Sequence, residues 1–157
     1  MVNEAVCVEL CGQPKGVPIS YTIPDATAVE KYTLMSVSGG AAIIKTADKA
    51  LTENVVTGVK ASADPQVFAG IASVEKVAND GSVKLGLYTK GIFDLTACPA
   101  SGLSDIPIAT GNLVVLSGAN LIRAAKGGDM LSGAIVGKAL EPIAASAVGQ
   151  VAVGVYS

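Results

Sequence analysis

The sequence predicts an all-β protein: a compact β-barrel or β-sandwich of about ten short strands, with an internal pseudo-repeat and an extended N-terminal arm. Three observations lead there. First, apolar side chains alternate with polar or small ones. Val83, Leu85 and Leu87 fall on one face and Ser82, Lys84, Gly86 and Tyr88 on the other, the period of a half-buried strand. Second, 18 glycines punctuate 157 residues and no stretch sustains a helical period, so turns are dense and strands short. Third, the pattern returns. Gly81-Ser82-Val83-Lys84-Leu85-Gly86-Leu87-Tyr88 aligns with Gly149-Gln150-Val151-Ala152-Val153-Gly154-Val155-Tyr156, and Gly70-Ile71-Ala72 aligns with Gly137-Lys138-Ala139. The run opening at Ser38-Gly39 likewise aligns with the one opening at Ser117-Gly118. Two copies, 32–91 and 111–157, are too few for a stacked solenoid, which needs at least about three units. One β-domain over 14–157 with internal pseudo-symmetry follows.

Taken in order, residues 1–13 form the arm, in which Val6, Val8 and Leu10 alternate. It reads either as an edge strand of the main fold or as a segment that pairs with a neighbouring subunit by strand addition, with Val6, Val8 and Leu10 as its partner contacts. Pro14, Pro18 and Pro24 remove backbone donors and confine 15–24 to an edge or a loop. Residues 25–31 make one helical turn or a loop. Strands at 31–37 and 41–45 flank Ser38-Gly39-Gly40 as a hairpin, and the polar stretch 46–54 has room for a helical turn. Strands at 55–60 and 66–76 follow. Asn79-Asp80-Gly81 supplies the positive φ angles of a tight turn into the strand from Val83. A breaker-rich loop at 97–111 joins the copies, and strands at 112–116, 119–123, 129–140 and 150–156 complete the set.

Composition narrows the function. Half the residues are apolar and only 15% are charged, where about a quarter is usual, so much surface is expected to be covered by association. A membrane span does not account for it: the most apolar long window, 134–156, contains Lys138, Glu141, Pro142 and Gln150. With a net charge of −2 and scattered Lys and Arg, no basic stripe is present to neutralise phosphates, so neither nucleic acid nor membrane is expected as a partner. The N-terminal residues lack a basic region followed by a long apolar core, so no signal peptide is expected and synthesis in a cytoplasm is the default.

Chemistry-bearing motifs are sparse. The chain has no histidine, which removes the commonest general base and every Ser-His-Asp or Cys-His scheme. Ser73-Val74-Glu75-Lys76 has the S-x-x-K spacing of serine acyl-enzymes, but Ser104-Asp105 continues with Ile106 and Thr89-Lys90-Gly91 has the wrong order for their companion motifs. Gly133 to Lys138 imitates a phosphate loop with one residue too few between its glycines and Ala139 where Ser or Thr would hold magnesium. Glu75 and Asp94 lie near one hairpin with no evident second carboxylate. Cys7, Cys11 and Cys98 would need a carboxylate as fourth zinc ligand, and as ordinary buried thiols they need no metal. No catalytic residue, cofactor site or metal site is assigned.

The order of the strand motifs carries a resemblance. Tyr32-Thr33-Leu34-Met35-Ser36-Val37-Ser38-Gly39 comes first, then Phe68-Ala69-Gly70-Ile71-Ala72, then 83–95 with its Gly91-Ile92-Phe93-Asp94 ending. Gly111-Asn112-Leu113-Val114-Val115, Ile135-Val136-Gly137-Lys138-Ala139-Leu140 and Gly149-Gln150-Val151-Ala152-Val153-Gly154 close it. Over 17–156 this order resembles the capsid decoration (cement) proteins of tailed double-stranded DNA viruses. Asn112, where the family often has an acidic residue, and the arm with Cys7 and Cys11 depart from the pattern. The resemblance implies a β-tulip-like domain and a non-enzymatic virion protein made in the host cytoplasm. It would bind the outside of an icosahedral head as a homotrimer at three-fold or quasi-three-fold positions, tying major-capsid subunits together after expansion. Another virion component, such as a tail-tube or minor capsid protein, is the nearest alternative. A carbohydrate-binding β-module is further off, because Phe68, Phe93 and four tyrosines are the only aromatics.

Overall fold

The computed structural model describes residues 5–9, 18–37, 51–53, 67–99, 107–118, 120–127, 129 and 135–154. Apart from a short 3-10 turn that includes residues 127 and 129, the regular structure among them is strand. β1 is Val6–Glu9, β2 Ile19–Thr22, β3 Leu34–Val37, β4 Leu51–Glu53, β5 Val67–Ala72 and β6 Lys84–Tyr88. β7 is Lys90–Ala97, β8 Leu113–Gly118, β9 Leu121–Ala124, β10 Ile135–Ala139 and β11 Val148–Gly154. The all-β expectation holds. Alternation explains the longer strands: Phe93 and Leu95 on β7 and Gly149, Val151 and Val153 on β11 point inward, while Asp94 and Gln150 between them are only half-buried.

The strands form two sheets, ordered β2-β6-β5-β3-β4 and β1-β7-β11-β10-β8-β9. In the larger one β9 returns to pair in parallel with the end of β7, Thr96 with Leu121 and Ala97 with Ile122, so the sheet closes into a small barrel. Removing β1 leaves two five-stranded units with one topology. β2 to β6 pair in the order first-fifth-fourth-second-third, and β7 to β11 repeat it.

The repeat extends to single hydrogen bonds. Val29 and Lys76 exchange backbone bonds in the first unit as Ile108 and Ile143 do in the second. Tyr32 N–H donates to Ala72 O and Gly111 N–H to Ala139 O, and both donors have positive φ (67° and 86°). Ser73 N–H meets Gly86 O as Leu140 N–H meets Gln150 O, and Ile23 N–H meets Val83 O as Ala97 N–H meets Ala147 O. Even the bulge recurs: β5 slips against β3 beside Gly70, and β10 slips against β8 beside Gly137. The repeating unit therefore runs from β2 to β6 and from β7 to β11. It starts one strand earlier than the copies expected at 32–91 and 111–157, so the stretch 97–111, expected to join the copies, falls between β7 and β8 of the second unit.

One core cluster fills the barrel and extends onto the neighbouring sheet, where Leu34, Phe68 and Ile71 pack with Phe93, Leu95, Val136 and Val151. A second, smaller cluster of Tyr21, Ile23, Val29, Met35, Leu85 and Leu87 lies in the first unit. Each fully buried Leu, Ile or Phe stabilises the fold by about 1.5–3 kcal/mol relative to exposure. Across the β8–β9 hairpin, Leu34 N–H donates to Asn120 Oδ1 at 2.9 Å, tying the first unit to the second.

Several elements differ from expectation. Residues 51–53, expected within a polar helical turn, are strand β4, which pairs with β3; the hairpin strand expected at 41–45 lies outside the described residues, as does 55–60. Residues 25–26 form a turn, the non-helical one of the two alternatives expected there. Val83 was expected on the buried face with Leu85 and Leu87, yet it is exposed because β6 begins only at Lys84. No helix among the described residues is long and apolar enough to cross a membrane.

Candidate interaction surfaces

The arm residues come first. β1 lies antiparallel to β7, Val6 opposite Asp94 and Cys7 opposite Phe93, as the outermost strand of its sheet. Ala5 anchors it, buried and donating its N–H to Tyr32 O at 3.1 Å. Of the three expected contacts, Val6 points outward and is 55% exposed. Val8 belongs to the strand, and Leu10 lies outside the described residues. The stretch Val6–Glu9 is thus held by its own chain.

The connection from β5 to β6 carries a dense polar network. Lys76 is inward-facing and 4% exposed, because its backbone is fixed by the two bonds to Val29. Its ammonium donates to Asp25 O at 2.9 Å, Val77 O at 3.1 Å and Asp80 Oδ1 at 3.1 Å, and Asp25 Oδ1 lies 3.7 Å away. These acceptors satisfy a charge that burial would otherwise penalise heavily. Around it, Asn79 takes a positive φ of 58° and donates to Asp25 O, Gly81 N–H donates to Asp25 Oδ1, and Ser82 N–H donates to Asp80 Oδ1. The Ser82 amide, with the Lys76 ammonium, holds the Asp80 carboxyl below its ordinary value. At the matching place in the second unit stands Ile143, packed where a Cβ on Gly149 would lie 2.5 Å from its side chain.

This geometry answers the S-x-x-K motif. Ser73 Oγ donates to Gly86 O at 2.8 Å, while the Lys76 ammonium is committed to the Asp25–Asp80 oxygens. The hydroxyl and the amine serve different strand connections. Of the phosphate-loop imitation, Gly133 lies outside the described residues, while Gly137 and Lys138 are in β10, with Gly137 pressed on the Ala152 backbone and Lys138 exposed. Asp94 is on β7 and Glu75 is exposed on the β5–β6 connection. Cys7 is half-buried and Cys98 buried, both as free thiols; burial pushes the Cys7 thiol upward and Lys31 pulls it back. Cys11 lies outside the described residues, among which no cluster of three potential metal ligands occurs.

A second buried cation stands on β9. Arg123 on β9 forks onto Asp129 at 2.8 and 3.1 Å and also donates to Ala124 O, with Asp129 accepting from Lys126 N–H. Sequence reasoning missed both buried cations. The signal available for Lys76 was its Asp80 partner four residues on, within the predicted turn.

Comparison with known proteins adds no relative: no protein family matches the chain, and no curated protein matches it.

Proposed function

We propose that the protein is a structural virion component that binds the outer surface of an icosahedral capsid, as a trimer at three-fold or quasi-three-fold sites, and stabilises the expanded shell. One observation carries this reading. The stretches through which the chain resembles decoration proteins are the strands and turns of two matching units, with Gly70-Ile71-Ala72 on β5 and Gly137-Lys138-Ala139 on β10 beside the same bulge. The apolar composition and the outward-facing Val6 on an edge strand fit a protein that works by association.

The mechanism is linkage. A protein that binds only the expanded lattice shifts the equilibrium toward it, and many copies on one shell add avidity. Co-sedimentation with expanded, undecorated shells from its own source tests the proposal. Saturation at a fixed ratio to the major capsid protein, with shells more resistant to heat, is the expected result. A well-behaved protein left in the supernatant overturns it, and assembly of the protein into a hexameric ring would favour a tube component instead.

A further inference from the structure

The two units can be read against each other, because the same hydrogen bonds recur in both while the side chains differ. On the β5–β6 connection Val74, Val77 and Val83 are 53%, 61% and 48% exposed. By the matching backbone bonds, their counterparts on the β10–β11 connection are Glu141, Ala144 and Ala147. The backbone bonds that frame the connection are therefore made in the second unit, where the connection is shorter, without large apolar groups at these places. Exposed apolar side chains grouped on one connection are a mark of a contact surface.

The connection is also held in shape. The buried Lys76 ammonium gathers Asp25 O, Val77 O and Asp80 Oδ1, and Gly81 and Ser82 are tied to the Asp25 and Asp80 carboxylates. A surface already fixed before contact loses little conformational entropy on binding. The charge on the connection itself is acidic, and the exposed Lys84 at the start of β6 turns its ammonium to Thr22 Oγ1. Glu75 and Asp80 are exposed and Asp25 is partly so, while the one ammonium among them lies underneath.

We infer that the β5–β6 connection is the docking tip of this protein, and that its occupant is a face of the major capsid subunit presenting an apolar recess bordered by lysine or arginine. The inference rests on the capsid reading and names the surface it uses. Apolar contact supplies the binding, and the carboxylate border supplies orientation and salt dependence.

The test compares wild type with a variant that removes the exposed apolar groups and leaves the charge unchanged: Val74→Ala, Val77→Ala and Val83→Ala. All three positions are exposed, and circular dichroism with a melting curve checks that the variant folds. In co-sedimentation with expanded shells the variant is expected to bind at least about tenfold more weakly, a 1.4 kcal/mol change. Val148→Ala, which removes an equally exposed valine (61%) from β11, should bind like wild type. Glu75→Lys should weaken binding and flatten its salt dependence. Equal binding by the folded triple variant overturns the tip while leaving the capsid reading standing. An equal loss in Val148→Ala points to general stickiness and overturns it too. Failure of wild type to bind shells overturns the capsid reading and the occupant together.

Discussion

Replacing Lys76 with Met isolates what the buried ammonium contributes to stability. Met keeps the unbranched stem and removes three hydrogen bonds, to Asp25 O, Val77 O and Asp80 Oδ1. A hydrogen bond to a charged group contributes about 1.5–3 kcal/mol, and the two carbonyl bonds carry the effect, because the exposed Asp80 carboxylate recovers its solvation from water. The two carbonyls lose their shared donor, and the buried thioether returns part of the loss. The balance is a destabilisation of about 2–3 kcal/mol, which for a chain of this size lowers Tm by roughly 5–10 °C. Acid sensitivity should change as well. Asp80 has a lowered value when folded, so it contributes stability that is complete above the ordinary carboxylate value and is lost as pH falls through the lowered one. Urea unfolding of both proteins across the acid range reads the two effects together. Lys76→Met should be less stable at neutral pH and lose less on acidification, with the Ser82 amide preserving a remainder. A neutral-pH stability within about 0.5 kcal/mol of wild type would refute the reasoning, because the ammonium would then be no better placed than a surface charge.

Other expectations follow from the same geometry. Gly137→Ala should cost about 3 kcal/mol in urea unfolding, because its Cβ would press on the Ala152 backbone of the paired strand, which cannot yield as a side chain could. Ser146→Gly should stabilise by about 0.5–1 kcal/mol in the same measurement, since Ser146 holds a φ of 57° that glycine adopts without strain. Arg123→Lys should lose about 1–2 kcal/mol by giving up one arm of the fork onto Asp129; an unchanged melting temperature would mean that the fork is not formed. In a Cys11→Ser background, a thiol reagent at mildly alkaline pH should modify Cys7 slowly and leave Cys98 untouched until the protein unfolds, following their burial.

The local content of the fold was legible in the sequence. Lys84 to Tyr88 and Gln150 to Gly154 alternate as strands must, and Asn79 makes the turn with the positive φ that its residue type favours. The repeat was legible too, although its register was not. The sequence aligns Leu85 with Val153, while the structure pairs Ala72 with Leu87 and Ala139 with Val151, making Leu87 and Val151 equivalent. A strand of alternating Val, Gly and Ala matches itself after any even slip, because every such slip keeps the same face inward. Backbone pairing across the sheet decides among the slips. β4 was missed because its polar residues carry no alternation, and it is a strand through its pairing with β3.

The candidate surface divides in the same way. High apolar content and the absence of histidine were plain from composition, and they directed attention to association over catalysis. The significance of Val74, Val77 and Val83 appeared only when the second unit displayed the same backbone with Glu141, Ala144 and Ala147 in their places. An all-β chain with two related halves is written in the residue order alone, because strand periodicity, glycine-bearing turns and composition are local properties of neighbouring residues. Only the tertiary structure decided that β9 closes the barrel on β7, that β1 joins the second unit, and that Lys76 is sealed inside a turn by Asp25. Each of those contacts joins residues far apart in the chain, and its free energy depends on burial and on partners that no window of sequence contains.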